Sequence, residues 1–136
     1  MIQIKKTLAL LLTAALLAAC ESELPPTPEE IVAERAQARW QAMVDRDFEA
    51  AWPFYSPAYR GQRSEPVFVT DLSRRPLRWQ SADVKEVSCE GSRCEVTAEV
   101  DYSVPGAPGV LSGLESSRAV NEVWIRLDGE WWYSPD

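Results

Sequence analysis

The sequence predicts an α+β domain, with N-terminal helices packed against an antiparallel sheet of about four strands. Three observations predict it. Apolar residues recur at helical spacing between Ile31 and Val44, with Trp40, Met43 and Val44 on one stripe. Later, Cys94, Val96, Ala98, Val100, Tyr102 and Val104 alternate strictly with polar residues, the mark of a strand with one wet face. Helical patterns come first and strand patterns last, which segregates the helices to one side of a sheet.

The elements follow in order. Thr27-Pro28-Glu29-Glu30 reads as a helix start: a capping hydroxyl, a proline suited to the first turn, and a glutamate that closes a capping box. This helix is expected to end near Asp45, with Arg35, Arg39 and Arg46 on its border or in solvent. Asp47 can cap a second helix, in which Phe48, Ala51, Trp52 and Tyr55 fall on one face. Pro53 lies inside that pattern, removes a backbone donor and is expected to kink or shorten it. Ser56-Pro57 opens another turn of helix; Val67-Phe68-Val69 has the composition of a strand, but Ser64-Glu65-Pro66 reads as a cap and first turn and favours a further short helix. From Leu77 the period changes to two. Inward parity shifts twice along this strand, so at least one bulge is expected. Cys89 and Cys94 flank a four-residue loop and are read as a disulfide that clamps strand register, worth roughly 2 kcal/mol for so short a loop. Residues 105–113 read as a Gly/Pro-rich loop, residues 117–127 as a third strand, Asp128-Gly129 as a hairpin turn, and residues 131–134 as the last strand.

The first twenty residues are of another kind. Lys5 and Lys6 precede an uncharged, Leu/Ala-rich run over residues 7–19, and Cys20 follows. This describes an export signal, and it is too short for a spanning helix, which needs about 20 apolar residues. Leu17-Ala18-Ala19-Cys20 resembles the lipobox of bacterial lipoproteins. The resemblance implies cleavage after residue 19 and acylation of Cys20. Two or three acyl chains anchor a protein stably. Residues 20–27 would then form the lipidated cysteine and a short tether, and residues 28–136 one domain. The resemblance places the chain in the bacterial cell envelope, facing the periplasm. Glu21, where an Asp would favour inner-membrane retention, leans towards the outer membrane.

Composition excludes several functions. Loss of Lys5 and Lys6 with the leader leaves 12 basic against 21 acidic side chains, a formal charge of −9. Such a chain is unsuited to nucleic acid, whose phosphates need cations. There is no histidine, so the commonest general base and metal ligand are missing. No metal or cofactor is expected, and no catalytic signature is present.

The order of elements resembles the nuclear transport factor 2-like superfamily, the cystatin-like cone shared with ketosteroid isomerase. The resemblance covers residues 27–136. It rests on Ala38-Arg39-Trp40, the Arg46-Asp47 turn, Phe48-Glu49-Ala50-Ala51-Trp52, Ser56-Pro57-Ala58-Tyr59-Arg60, the long hairpin, and Asp128-Gly129-Glu130-Trp131-Trp132-Tyr133. It implies a curved sheet wrapped around the long helix, with a pocket between them. It does not fix function, because members include enzymes, binding proteins and assembly subunits. Nothing in this sequence aligns with the isomerase's catalytic residues: Asp101 lies on a wet strand face, and Asp71 has no clear place.

Trp40, Tyr55, Tyr59, Trp79, Tyr102 and Trp124 are the candidates to line such a pocket. The plain alternative is that the tryptophans fill the core of a small domain. Trp131 and Trp132 are adjacent on a strand and must face opposite ways. Arg60, Arg63, Arg74, Arg75 and Arg78 cluster around Glu65 and Asp71, as a patch for an anionic partner or simply as a solvated surface. The expected function is a non-enzymatic accessory lipoprotein that binds a partner protein or a small apolar ligand. An isomerase or hydrolase is the alternative. It would need a carboxylate buried beside a tyrosine in the pocket, with a raised pKa. A structural assembly subunit is a third reading and would need a large exposed apolar patch.

Overall fold

The computed structural model describes residues 23–106 and 114–135. The leader, Cys20 and most of the Gly/Pro-rich loop lie outside the described residues.

Helix α1 spans Pro28–Val44. Its capping box is formed: Thr27 Oγ1 accepts from the Glu30 amide, and the Thr27 amide donates to the Glu30 carboxylate at 2.8 Å. Helix α2, Phe48–Ala51, is capped by Asp47 and passes into a 3-10 turn, Trp52–Phe54, at Pro53. The proline shortens the helix as its missing donor requires. Helix α3, Pro57–Gln62, is capped by the Ser56 hydroxyl, and α4 spans Glu65–Ser73.

Four strands follow: β1 Arg78–Glu90, β2 Arg93–Ser103, β3 Glu115–Leu127 and β4 Glu130–Tyr133. They form one antiparallel sheet in sequence order. Strand β3 starts two residues earlier than the sequence suggests. The register of β1 shifts twice, between Trp79 and Ser81 and between Val84 and Glu86. Each shift increases local twist and curls the sheet over α1. The Gln37 side chain bridges helix and β1: its amide donates to the Ala82 carbonyl at 2.8 Å, and its oxygen accepts from the Val84 amide at 2.9 Å.

Cys89 and Cys94 are disulfide-bonded directly across the β1–β2 hairpin, Cα atoms 4.0 Å apart. The turn is tighter than the four-residue loop expected. Glu90 pairs with Arg93, so only Gly91 and Ser92 lie outside the ladder, and Gly91 takes φ 60°. At the β3–β4 turn, Asp128 and Gly129 both have positive φ, as the tight hairpin geometry demands.

The sheet's inner face and α1 enclose two clusters. One joins Val32 and Ala36 to Cys94, Val96, Trp124 and Trp131. The other gathers Trp40, Met43, Phe48, Trp52, Tyr55, Phe68 and Leu72 over Ala98 and Val100. Among the described residues, the large apolar side chains left exposed lie on the tether (Leu24), on α4 (Val67), and at or beside the two ends of β3 (Leu114, Leu127).

One expectation is overturned. Arg39 is not on the helix border but 2% exposed. It falls within the buried row Val32, Ala36, Arg39, Trp40 and Met43, so the helix turns it into the core. Arg35 and Arg46 are half-buried, on the border. The Arg35 Nε–H donates to the Trp131 carbonyl at 2.9 Å, and Arg46 Nη2 to the Ser73 carbonyl at 3.1 Å.

Candidate functional site

A buried arginine requires a partner, since an isolated charge costs many kcal/mol in a low-dielectric interior. Strand alternation supplies it. Val120, Glu122 and Trp124 share the inward face of β3, opposite Ala98, Val96 and Cys94 on β2. Glu122 is 3% exposed and forms an ion pair with Arg39 Nη2 through Oε1. Its Oε2 accepts from the Trp124 indole at 3.1 Å. Arg39 Nη1 donates to the Tyr55 hydroxyl at 3.3 Å. The Arg39 guanidinium also lies 4.1 Å from the Tyr133 ring centroid and 4.7 Å from that of Trp40, in cation–π range.

Tyrosines 55 and 133 are themselves fixed. A parallel bridge joins them, the Ser56 amide donates to the Tyr133 carbonyl at 2.8 Å, and Arg60 Nε donates to the Tyr55 carbonyl at 3.0 Å. Their rings meet edge to face at 5.1 Å. Burial raises the pKa of both hydroxyls, that of Tyr133 to about 12, so both keep their protons at neutral pH. Burial also raises Glu122, opposed by Arg39 and by the Trp124 indole.

Beside this pair lies a cavity of about 270 Å³. Its walls are Trp40 and Met43 from α1, Tyr55 and Tyr59, Phe68 and Leu72 from α4, and Trp79 from β1. Arg39, Glu122 and Tyr133 close its inner end, and Arg63 and Arg75 stand at its mouth. The aromatic walls pack on one another: Tyr55 meets Tyr59 at 4.9 Å and Phe68 at 4.8 Å between centroids. A groove of about 390 Å³ at the tether's root is larger, but mostly exposed residues such as Pro26, Pro28 and Gly129 line it. Among the described residues, no group of three or more Cys, Asp or Glu is placed to hold a metal ion.

Four of the six candidates, Trp40, Tyr55, Tyr59 and Trp79, therefore come together around one cavity. The other two stand elsewhere. Trp124 is fully buried in the second cluster and acts on the cavity only by holding Glu122. Tyr102 faces inward at the end of β2, where it pairs with Trp79, but it is half-buried beside Ser116, away from the cavity. Arg60 turns outward over the Trp132 ring at 5.1 Å, and Arg35 approaches that ring at 5.7 Å. Trp132 is thus covered by two cations, while Trp131 is 3% exposed in the core.

Arg39 and Glu122 were not among the candidates. Their signal lay in two patterns read together: a cation inside a helix's buried row, and a carboxylate at an inward position between Val120 and Trp124.

No family model matches the chain, and no curated protein matches it in sequence. Solved structures do. The fold is similar to that of an NTF2-like protein from Cytophaga hutchinsonii, at 11% identity and TM-score 0.57, over 80% of this chain and 95% of that one. A putative dehydratase from the NTF2-like family of Streptomyces avermitilis aligns at 19% identity and TM-score 0.52, over 79% and 95%. A SEC-C motif containing protein from Rhodopseudomonas palustris aligns at 20% identity and TM-score 0.56, over 74% and 73%. The chain therefore has the nuclear transport factor 2-like, cystatin-like cone fold.

Proposed function

We propose that this protein is an envelope lipoprotein, anchored through Cys20, whose cone holds a small apolar ligand as a non-enzymatic binding module. One observation carries the binding reading. The cavity has aromatic walls, and the two charged groups at its inner end are already paired with each other. The Glu122 and Arg39 side chains are 1% and 3% exposed. Both Glu122 oxygens accept protein donors, so neither is free to take a proton from a substrate. An apolar wall above a neutralised polar floor favours binding by burial. The anchor rests on the leader and on the lipobox resemblance, and the prolines of the tether keep the domain close to the membrane.

Two experiments test this. Metabolic labelling with an alkynyl fatty acid is expected to mark the wild-type chain and not C20S; a bare wild type, or a leader-bearing product in the cytosol, overturns the anchor. Titration with 2-naphthol is expected to quench the fluorescence of Trp40 and Trp79. L72W, which fills the cavity, is expected to abolish that response; an unchanged response in L72W overturns the binding site.

A second reading, a carboxylate/tyrosine isomerase or hydrolase, draws on a specific observation: Glu122 is buried near Tyr55 and Tyr133 and its pKa is raised. It requires the Arg39–Glu122 contact to open towards the cavity. Turnover of an enolisable ketone or an epoxide by the wild type, lost in E122Q with binding intact, would favour it.

A further inference from the structure

We infer that the ligand is an anionic amphiphile, its apolar body held between the aromatic walls and its carboxylate held by Arg63 and Arg75 at the mouth. This rests on the reading that the cavity takes a small molecule.

Arg63 and Arg75 flank α4, the helix that contributes Phe68 and Leu72 to the wall, so both ends of that wall carry a cation. The inner end contributes no net charge, because Glu122 neutralises Arg39. Arg63 shares its charge with Asp71 at 3.4 Å, in a pair whose members are 38% and 46% exposed. Such an exposed pair is weak and can be rearranged by a better acceptor. Among the described residues, no carboxylate lies within ion-pair distance of Arg75. The mouth is therefore locally cationic on a chain whose formal charge is −7 overall.

Hydrogen-bonding capacity points the same way. At the inner end, the Arg39 Nε and Trp40 Nε1 donors lack partners, yet both are sealed from contact. A ligand cannot reach them without displacing the rings that cover them. The accessible charged donors are the guanidinium N–H groups at the mouth, and guanidinium offers donors only. The matching head is an acceptor-only, charged group; a carboxylate fits the planar fork bidentately. Arg63 is held near the required place, its guanidinium 5.7 Å from the Tyr59 ring centroid. The volume, about 270 Å³, suits one fused ring system or a short chain rather than a long lipid.

The test compares 2-naphthoate with its neutral isostere 2-naphthamide on the full chain in detergent, at low salt, by tryptophan fluorescence. Each probe's partition into the micelles is measured without protein and its free concentration corrected, and wild type and variants are compared in the same micelles. Naphthoate is expected to bind about five- to tenfold more tightly than naphthamide, a ratio in keeping with a charge-assisted bond at an exposed mouth. R75A is expected to lose most of the naphthoate preference while leaving naphthamide unchanged, R63A to lose less, and R63A/R75A to bring naphthoate to the naphthamide level. R75K should keep part of the preference, and added salt should shrink it. Equal affinities in the wild type, or an R63A/R75A variant that still prefers naphthoate, overturn the inference and leave the cavity reading standing. Failure of both probes to bind overturns the cavity reading itself. Arg75 is exposed, so near-UV circular dichroism of R75A is expected to match the wild type.

Discussion

The two ends of the cone use the same helix and the same sheet, yet one is filled and the other hollow. Towards the Cys89–Cys94 hairpin, α1 presents Val32 and Ala36, both fully buried, and Trp124 and Trp131 fill the space beneath them. Towards the opposite end, α1 presents Trp40 and Met43, and the further wall is built by α4 and the turn around Tyr55. Small side chains let helix and sheet approach closely, leaving Val32 and Ala36 with no exposed surface. Rings that brace one another hold their layer open. The Arg39–Glu122 pair stands at the boundary, touching the filled cluster through Trp124 and the hollow one through Tyr55. The difference teaches that side-chain size along one helix face decides where this fold keeps a cavity.

The largest way to break this comparison is to break the pair. E122L leaves Arg39 buried with neither a counter-charge nor an acceptor and is expected to cost about 3–5 kcal/mol in urea unfolding. The double variant R39M/E122L removes both charges and is expected to recover most of that loss. If E122L costs almost nothing, the boundary is not held by this pair.

Overpacking separates the two ends. A36L forces extra volume into the filled end and is expected to cost about 1–3 kcal/mol. L72F, which places its added volume in the cavity, is expected to change stability by less than about 1 kcal/mol. Equal penalties in thermal denaturation would mean that both ends are equally full.

Removing the clamp is next. C89A/C94A is expected to cost about 2 kcal/mol, because the loop it closes is short. Hydrogen exchange should loosen at Val87 and Val96 while Phe68 stays protected. Loosening around Phe68 instead would show that the two ends unfold as one unit.

The smallest effects concern pH. Burial raises Glu122, so the folded chain holds that proton more tightly than the unfolded chain. Its contribution is fully present below the ordinary value of 4.5 and is lost as pH rises through the raised one. The difference in stability between wild type and R39M/E122L is expected to carry this slope; a flat difference would place Glu122 at its ordinary value. Tyr133 behaves likewise at the alkaline end. Its contribution is present below pH 10 and is lost as pH rises towards about 12, so Y133F is expected to resist alkaline unfolding slightly better than wild type.

Much of the fold was legible because its signals are local. The capping box at Thr27, the break at Pro53, the alternation from Cys94 to Tyr102 and the turn at Asp128-Gly129 each act within a few residues, through dihedral preference and side-chain period. The doubled shift of parity in β1 likewise announced its irregularities. Four cavity residues were legible for a weaker reason: large aromatics on inward positions have few other places to go.

Three features could not be read this way. Arg39 was placed on the helix border because an unpaired charge belongs there, and only the approach of β3 brings Glu122 to it from 83 residues away. Tyr102 has the right parity but sits where the sheet runs past the aromatic cluster. Trp124 has the right chemistry but lies in the filled end, supporting Glu122 from behind. By itself the sequence determined the elements, their order and the inward-facing positions, since backbone sterics and burial period act over short spans. Which inward side chains meet, which charges cancel and where space is left over depend on how two faces close on each other. Only the tertiary structure decided those.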